Sequence, residues 1–150
     1  MKRDELTQEY LKTILKYDPI TGVFTWIKDL GSRARPGTIA GSISSPPNKH
    51  TKYLRIWIHG HHHMAHCLAV LYITGQWPKY QVDHKNRNGL DNSWDNLREA
   101  TNSQNQGNSK IRKSNLSGIR GVQLVRGKWL AKIVHQKKIY LLGRFENKEE

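Results

Sequence analysis

The chain has 150 residues and a mass of 17.4 kDa, which is enough for one compact domain or two small ones. Its 25 Lys and Arg against 12 Asp and Glu give a net charge of +13. This charge favours nucleic acid as the partner much more than an anionic membrane. A single cysteine, Cys67, excludes an intrachain disulfide and a Cys-based zinc knuckle, and a charged N-terminus without a long apolar run predicts a cytoplasmic protein.

The first 51 residues predict a helix, a turn and a long loop. Apolar residues recur at helical spacing over residues 4–16, and the Asp-Pro-Ile-Thr-Gly sequence at 18–22 predicts a turn that ends this helix. Residues 23–26 then predict a short strand. Residues 29–51 are rich in Gly, Ser, Pro and basic side chains, so they predict a loop that either follows phosphates or is a solvated connector.

The next segment predicts a hairpin followed by a helix. Residues 53–58 and 61–65 have strand composition, and His59 with Gly60 can form the turn between them. Apolar residues at helical spacing predict a helix over 66–74, which Gly75 ends as its C-cap.

Residues 82–101 predict two short strands around a polar loop rich in Asn and Gly. A third helix is predicted to begin at Thr101, because Thr101 and Gln104 have the spacing of a capping box.

The C-terminal part differs in composition from the rest. Strand-like runs at 119–122, 128–133 and 138–142 predict a three-stranded antiparallel meander, and residues 109–116 within the basic stretch before it predict a linker. Residues 101–150 hold 11 basic and 3 acidic side chains, so the positive charge is concentrated at this end.

The pair Asp83 and His84 suggests phosphodiester hydrolysis. A histidine near its ordinary pKa of about 6.5 can accept a proton from water at neutral pH. A neighbouring carboxylate can hold a hard divalent cation that stabilises the developing charge. Adjacent strand residues point to opposite faces, so the two side chains can serve one site only where the strand ends and bends.

This region resembles the HNH endonuclease family, especially its phage-borne and intron-associated, homing-like members. The motif positions are Asp83 and His84, then Asn96, then Asn105 on the following helix. The resemblance extends to the flanking sequence at 88–92, 96–98 and 100–105. It also includes the upstream segments 17–26, 65–68 and 75–78, so it covers roughly residues 10–108.

The resemblance implies a ββα-metal fold and a role for each motif residue. His84 would be the general base, Asp83 and Asn105 would hold one Mg²⁺ or Mn²⁺ ion, and Asn96 would fix the loop that carries His84. An amide in place of the third histidine argues against zinc. Asn108, one helical turn later, is an alternative ligand. The expected products carry 5′-phosphate and 3′-hydroxyl ends, and no organic cofactor is implied.

Other polar residues near the motif have two interpretations each. His66 falls where the similar proteins carry His followed by Arg; it either supports the site, or contacts DNA, or is an ordinary satisfied histidine at a helix start. Lys85 and Arg98 are candidates for phosphate contacts or plain surface charges. The histidines of the 59–63 turn indicate a solvated hairpin rather than a metal site, because a third fixed ligand is not evident.

The C-terminal segment resembles the DNA-binding domain of the Apetala-two/ethylene-response-factor family. The similar text lies at 117–122, 127–133 and 142–145, and the helix that follows the sheet in that family has no counterpart before residue 150. The resemblance implies contacts with the major groove of DNA. The candidate residues are Arg120, Arg126, Trp129 and Lys132, with Arg144 as a weaker one. In the competing interpretation, Trp129 is a core residue and the basic residues form a solvated face.

Together these observations predict an α+β protein. Its nuclease domain spans 1–108 with a ββα-metal core at about 80–108, and a linker at 109–116 leads to a DNA-binding sheet at 117–150. The expected function is Mg²⁺-dependent hydrolysis of double-stranded DNA, by nicking or by cutting both strands. The alternatives are a non-catalytic DNA-binding protein with a nuclease-like fold and a nuclease that acts on RNA.

Overall fold

The computed structural model of the protein describes residues 5–31, 33–45, 52–111, 114–135 and 138–147. The chain divides into two compact units, Met1–Asn108 and Ser109–Glu150. In the described ranges the fold is mixed α/β, with three α-helices and four small antiparallel sheets. No helix in these ranges is long and apolar enough to span a membrane.

The first unit begins with helix α1 (Gln8–Ile14) and a hairpin of strands β1 (Leu15–Tyr17) and β2 (Phe24–Trp26). The prediction that the helix continues to residue 16 is wrong, because the backbone becomes extended at Leu15. Leu15 and Tyr17 then alternate with an exposed residue and bury their side chains. The helix gives way to a strand because both side chains reach the core in that register.

A second sheet has the strand order β3-β4-β5, with β3 at Ser42–Ser44, β4 at Tyr53–Ile58 and β5 at His61–Met64. The β4–β5 hairpin confirms the prediction for residues 53–65. Strand β3 corrects the loop prediction, since residues 42–44 pair with the N-terminal half of β4. Residues 32 and 46–51 of that predicted loop lie outside the described part of the chain.

Helix α2 (Ala65–Thr74) confirms the predicted helix, and it ends at Gly75 in the left-handed conformation, with φ of 77°. The helix is apolar on most of its circumference, so it lies inside the unit rather than on its surface. It packs on β4, β5 and α1 and forms the centre of the hydrophobic core. The largest fully buried apolar side chains of this core are Leu6, Leu11, Ile14, Leu15, Phe24, Ile56, Ile58, Leu68 and Leu71.

A two-stranded hairpin and a short helix complete the first unit. Strands β6 (Gln81–His84) and β7 (Leu97–Ala100) pair across a polar loop that ends in a 3₁₀ turn at Trp94–Asn96. Helix α3 (Asn102–Asn108) follows, with the predicted capping box formed. Thr101 donates its backbone N–H to Gln104 Oε1 at 2.9 Å, and Gln104 donates its own to Thr101 Oγ1 at 3.4 Å.

The second unit is the predicted antiparallel meander, in the order β10-β9-β8. Its strands are β8 (Val122–Val125), β9 (Lys128–His135) and β10 (Lys138–Phe145). The first strand starts three residues later than predicted, because residues 119–121 form a turn. Among the described residues of this unit no hydrophobic side chain is fully buried. The sheet therefore has little core of its own there, whereas the first unit has a continuous one.

Candidate active site

The β6–β7 hairpin holds Asp83 and His84 at the last two positions of β6. Both side chains are buried, with 8% and 4% of their surface exposed. The strand ends at His84, whose carbonyl accepts the backbone N–H of Arg87 at 2.9 Å in the turn that follows. The chain therefore turns directly after His84. Such a turn is the condition under which the sequence allows Asp83 and His84 to serve one site.

The carboxylate of Asp83 is surrounded by donors. Arg98, its cross-strand neighbour, donates Nε and Nη2 to Oδ2 at 3.1 and 2.8 Å. Asn108 donates its amide Nδ2 to Oδ1 and Oδ2 at 3.2 and 3.0 Å, and to the His84 carbonyl at 2.9 Å. Arg98 therefore neutralises Asp83 in this structure, whereas the sequence suggested a phosphate contact or a plain surface charge.

Asn105, the ligand that the motif implies, is in a different place. Its amide donates to Gln81 Oε1 at 2.6 Å, and it lines a cleft of about 750 Å³ together with Tyr53, His66 and Tyr80. The structure thus brings Asn108 to Asp83 and does not bring Asn105 there. The two residues are neighbours on one face of α3, about one turn apart, so the difference is one of position along the helix.

The imidazole of His84 is held by a residue that the sequence analysis missed as a site residue. Asn92, which is 1% exposed, places Oδ1 3.2 Å from His84 Nε2, while its Nδ2 donates to the Leu90 carbonyl at 3.3 Å. Since Nδ2 is engaged there, the oxygen must face His84, and an oxygen of this kind only accepts. This contact favours the neutral tautomer with its proton on Nε2, which leaves the lone pair of Nδ1 free.

The environment of His84 keeps its ring neutral. Burial lowers its pKa, and the hydrogen bond that the ring donates to Asn92 Oδ1, together with the negative charges of Asp83 and Asp91, acts in the opposite direction. The balance is a lowered pKa, so at pH 7 the ring is a proton acceptor rather than a cation.

His66 lies in the first turn of α2, directly against His84. The two imidazole rings meet edge to face with centroids 5.1 Å apart, and Tyr53 contacts both at 5.7 and 6.0 Å. Burial and the nearby His84 lower the pKa of His66 to about 4. Its buried Nδ1 has no hydrogen-bond partner among the described residues. The lack of a protein partner for Nδ1 argues against a satisfied helix-start histidine, and the contact with His84 favours a supporting role.

Asn96 fixes the loop between β6 and β7. Its Oδ1 accepts the backbone N–H of Asn86 at 3.0 Å, and its Nδ2 donates to the Asp91 carbonyl at 2.7 Å. Its own carbonyl accepts the N–H of Lys85 at 2.9 Å. These bonds tie both ends of the loop, which is the arrangement that the role implied for Asn96 requires. Lys85 itself is exposed and donates Nζ to the Asp95 carbonyl at 2.6 Å.

The histidines of the β4–β5 hairpin contact different partners. His59 bonds Tyr10, His62 packs on Trp57, and His63 is buried against Trp77. In the described part of the chain no three His, Cys, Asp or Glu side chains gather as a metal-binding group. The prediction of a solvated hairpin needs correction for His63, which is a core residue.

The candidate DNA-binding residues of the second unit do not share one face of the sheet. Trp129 pairs with Leu124 and Phe145 on an apolar face, whereas Lys132 lies on the opposite face of β9. Arg144 lies on this same, basic face because it pairs with Leu130, whereas the direct cross-strand partner of Lys132 is Leu141.

Arg120 and Arg126 lie in turns at the ends of strand β8. Arg120 precedes β8 and donates to the backbone carbonyl of Ser109. Arg126 is exposed in the β8–β9 turn, where it adopts a positive φ of 50° beside Gly127.

Residues 63–106 match the sequence model of a family described as HNH endonuclease. No curated protein and no solved structure matches the chain significantly. The matched segment contains β5 from His63 onward, α2, the β6–β7 hairpin and most of α3, and so includes Asp83, His84, Asn92, Asn96 and Asn105. The match supports a nuclease domain of this type around the buried pair, and it leaves the C-terminal sheet outside.

Proposed function

We propose that the chain is a metal-dependent endonuclease that hydrolyses phosphodiester bonds of double-stranded DNA, with His84 as its general base. One observation carries the proposal. Asp83 and His84 are buried together at the end of β6, within the segment that matches the HNH endonucleases, and the ring of His84 is fixed with Nδ1 free to accept a proton. A buried and oriented base beside a carboxylate suits the activation of water.

The proton transfer follows from the state of His84. Its ring is neutral near pH 7, because burial lowers its pKa. Nδ1 can take the proton of the attacking water, and the positive charge that develops on the ring is stabilised by the carboxylates of Asp83 and Asp91 and by Asn92 Oδ1. General-base catalysis of this kind contributes roughly 10²- to 10⁴-fold to a rate.

The oxygen atoms that Asp83 and its neighbour Asn108 can present suit a hard divalent cation. Mg²⁺ prefers oxygen ligands and keeps several waters, so one carboxylate and one amide oxygen from the protein are sufficient. Asp83 supplies the carboxylate, and Asn108 supplies the amide once its terminal group turns to present Oδ1 in place of Nδ2. When bound, the ion would act as a Lewis acid on the phosphate and stabilise the leaving oxygen. Asn105 remains the ligand that the family motif favours, and Mn²⁺ has the same ligand preference.

Duplex DNA as the substrate is supported by charge and by the second unit. The net charge of +13 favours binding to phosphates, and the sheet at 122–145 presents Lys132 and Arg144 on one face. We propose a nuclease domain at 1–108, a linker at 109–116 and a DNA-binding sheet of the Apetala-two type at 117–150. The arginines in its turns, Arg120 and Arg126, would contact phosphates at the strand ends.

The decisive experiment is conversion of supercoiled plasmid by the intact chain and by His84→Ala, each with Mg²⁺ or with EDTA. The matched control is His62→Ala, which removes an exposed histidine of β5. We expect cleavage by the intact chain and the control in Mg²⁺ alone, and a loss of about 100-fold or more in His84→Ala. The ratio of nicked to linear product then gives the number of strands cut.

Two results would contradict the proposal. If the intact chain shifts the plasmid on a gel but does not cut it in Mg²⁺ or Mn²⁺, the non-catalytic DNA-binding alternative replaces it. If a structured RNA is cut and duplex DNA is not, the substrate assignment is wrong.

A further inference from the structure

The chain contains a support for His84 that lies outside the segment matching the HNH endonucleases. Tyr17, at the end of β1, is buried and donates its hydroxyl to the Asn92 carbonyl at 2.7 Å, across 75 positions of sequence. Burial raises the pKa of Tyr17 to about 12, so this hydroxyl stays a donor at any working pH. The backbone of Asn92 is therefore held from the N-terminal hairpin.

The turn at residues 18–22, between β1 and β2, holds the same loop at two more points. The backbone N–H of Trp94 donates to the Pro19 carbonyl at 2.8 Å. Gly22 packs directly on the loop backbone: a Cβ at this position would lie 2.2 Å from the Asn92 carbonyl carbon and 2.3 Å from the Ser93 nitrogen. The φ of Gly22 is also positive, at 73°, so this contact requires glycine.

The 18–22 turn is itself closed by three hydrogen bonds. Asp18 accepts the backbone N–H of Ile20 at 2.9 Å and the hydroxyl of Thr21 at 2.7 Å, and its carbonyl accepts the N–H of Gly22 at 2.8 Å. An Asx turn closed in this way is a fixed surface for the loop it touches.

The side chain of Asn92 transmits this constraint to the base. Its Nδ2 is anchored on the Leu90 carbonyl and its Oδ1 faces His84 Nε2, so the position of its backbone sets where the acceptor stands. An acceptor at Nε2 selects the tautomer in which Nδ1 is unprotonated. Because a base reacts only through its free nitrogen, a displaced Asn92 would lower the fraction of His84 in the reactive tautomer.

We propose that Tyr17 and the 18–22 turn form a positioning element for His84, which acts through Asn92 and fixes the tautomer of the base. Asn92 is the positioning residue in contact with the ring, and Tyr17 and Gly22 set its backbone. The catalytic consequence rests on the proposed nuclease function, whereas the effect on the tautomer can be observed without any substrate.

The test is ¹⁵N NMR of the histidine rings in the intact chain, with the signals of His84 assigned by their loss in His84→Ala. We expect the intact protein to show His84 protonated at Nε2. Asn92→Leu removes the acceptor and should give a mixture of both tautomers. Asn92→Asp retains an acceptor and should keep the proton on Nε2. Tyr17→Phe, which keeps the ring and removes only the hydroxyl, should move the populations in the direction of Asn92→Leu.

The matched control is Gln8→Ala. Gln8 donates Nε2 to the Tyr72 carbonyl at 2.7 Å, a side-chain to backbone bond of the same length as that of Tyr17, in the same unit and away from the loop. It should lower the melting temperature by a similar amount and leave the His84 tautomer unchanged. If Tyr17→Phe keeps the intact pattern, or if Gln8→Ala changes it equally, the positioning role is refuted. Gly22→Ala is a second variant, expected to act as Tyr17→Phe or more strongly.

Plasmid cleavage by the same variants separates this proposal from the proposed function. Tyr17→Phe should lower kcat roughly tenfold with KM for DNA unchanged, and Asn92→Asp should recover more activity than Asn92→Leu. If the intact chain cuts nothing while the NMR pattern holds, the positioning element stands and the nuclease assignment falls. If cleavage is normal and Tyr17→Phe changes neither kcat nor the tautomer, the positioning element falls alone.

Discussion

The amide nitrogen of Asn108 lies 3.0 and 3.2 Å from the two carboxylate oxygens of Asp83, whereas Asn105 turns away toward Gln81. The geometry and the family motif therefore favour different residues of α3 as the second ligand of the proposed metal ion. Asn105→Ala and Asn108→Ala distinguish them, since each removes one amide from the same helix. We expect Asn108→Ala to raise the Mg²⁺ concentration for half-maximal cleavage about tenfold or more, with little change in Asn105→Ala. The reverse order would show that α3 binds the ion through Asn105, one turn earlier, as the motif implies.

The ion pair of Arg98 and Asp83 predicts a metal-dependent change in stability. In Arg98→Gln the buried carboxylate loses its cation, so the free energy of unfolding should fall by about 1 kcal/mol, a modest value because Arg98 is 43% exposed and solvent screens part of the attraction. A cation at Asp83 replaces the missing charge. Thermal unfolding should therefore show a larger gain from Mg²⁺ in this variant than in the intact chain.

The control for that experiment is Lys128→Gln. It breaks the exposed pair of Lys128 with Glu146, whose side chains are 55% and 70% exposed, and should neither destabilise measurably nor change the response to Mg²⁺. An equal response to Mg²⁺ in Arg98→Gln and the intact chain would mean that the ion does not bind Asp83.

Acid should destabilise the first unit through His66. Its pKa is about 4 in the folded protein and about 6.5 in the unfolded chain, so the unfolded chain binds more protons between these values. The free energy of unfolding is complete above pH 6.5 and falls with pH toward 4, by about 2 kcal/mol between pH 7 and pH 5. Urea denaturation at these two pH values measures the difference.

His66→Phe should reduce this pH dependence, because it keeps an aromatic ring against His84 and removes the titrating group. Part of the slope should remain, since the pKa of His84 is lowered by burial as well. An unchanged slope in His66→Phe would show that another group is responsible for the acid response.

The basic face of the C-terminal sheet predicts a salt effect on DNA binding. If Lys132 and Arg144 each neutralise one phosphate, the double variant Lys132→Ala, Arg144→Ala should lower the slope of log affinity against log salt by about 2. The matched control is Lys12→Ala, Lys16→Ala, which removes the same charge from exposed positions of α1 and β1. Equal losses in both would mean that overall charge, and not this face, determines binding.

The sequence predicted the elements whose signals are local. The capping box of Thr101 and Gln104, the C-cap at Gly75 and the β4–β5 hairpin all depend on residues close together in the chain, and all are confirmed. Strand β1 was missed because Leu15 continues the helical spacing of the apolar residues in α1, and β3 was missed because it lies in a segment rich in Gly, Ser and Pro.

Within the site, the sequence identified the types of residue but not their partners. Asp83 and His84 are both buried at the end of β6, and Asn96 ties the loop ends. The pairing of Arg98 with Asp83 is a consequence of strand register, and the contact of Asn108 depends on which turn of α3 lies beside Asp83. Asn92 lies in the segment 88–92 that resembles the HNH family. Nothing local in the sequence tells which asparagine of the loop contacts the ring of His84.

The contact of Gly22 with the Asn92 loop bears on how the first unit could be shortened without losing the proposed activity. A fragment cut to the 63–106 segment would keep every motif residue and lose the surface against which Asn92 is set. Such a fragment should be a poor starting point for transplanting the activity into another protein. The smallest transferable unit would have to begin at α1, before Tyr17, so that it includes the β1–β2 hairpin together with His84.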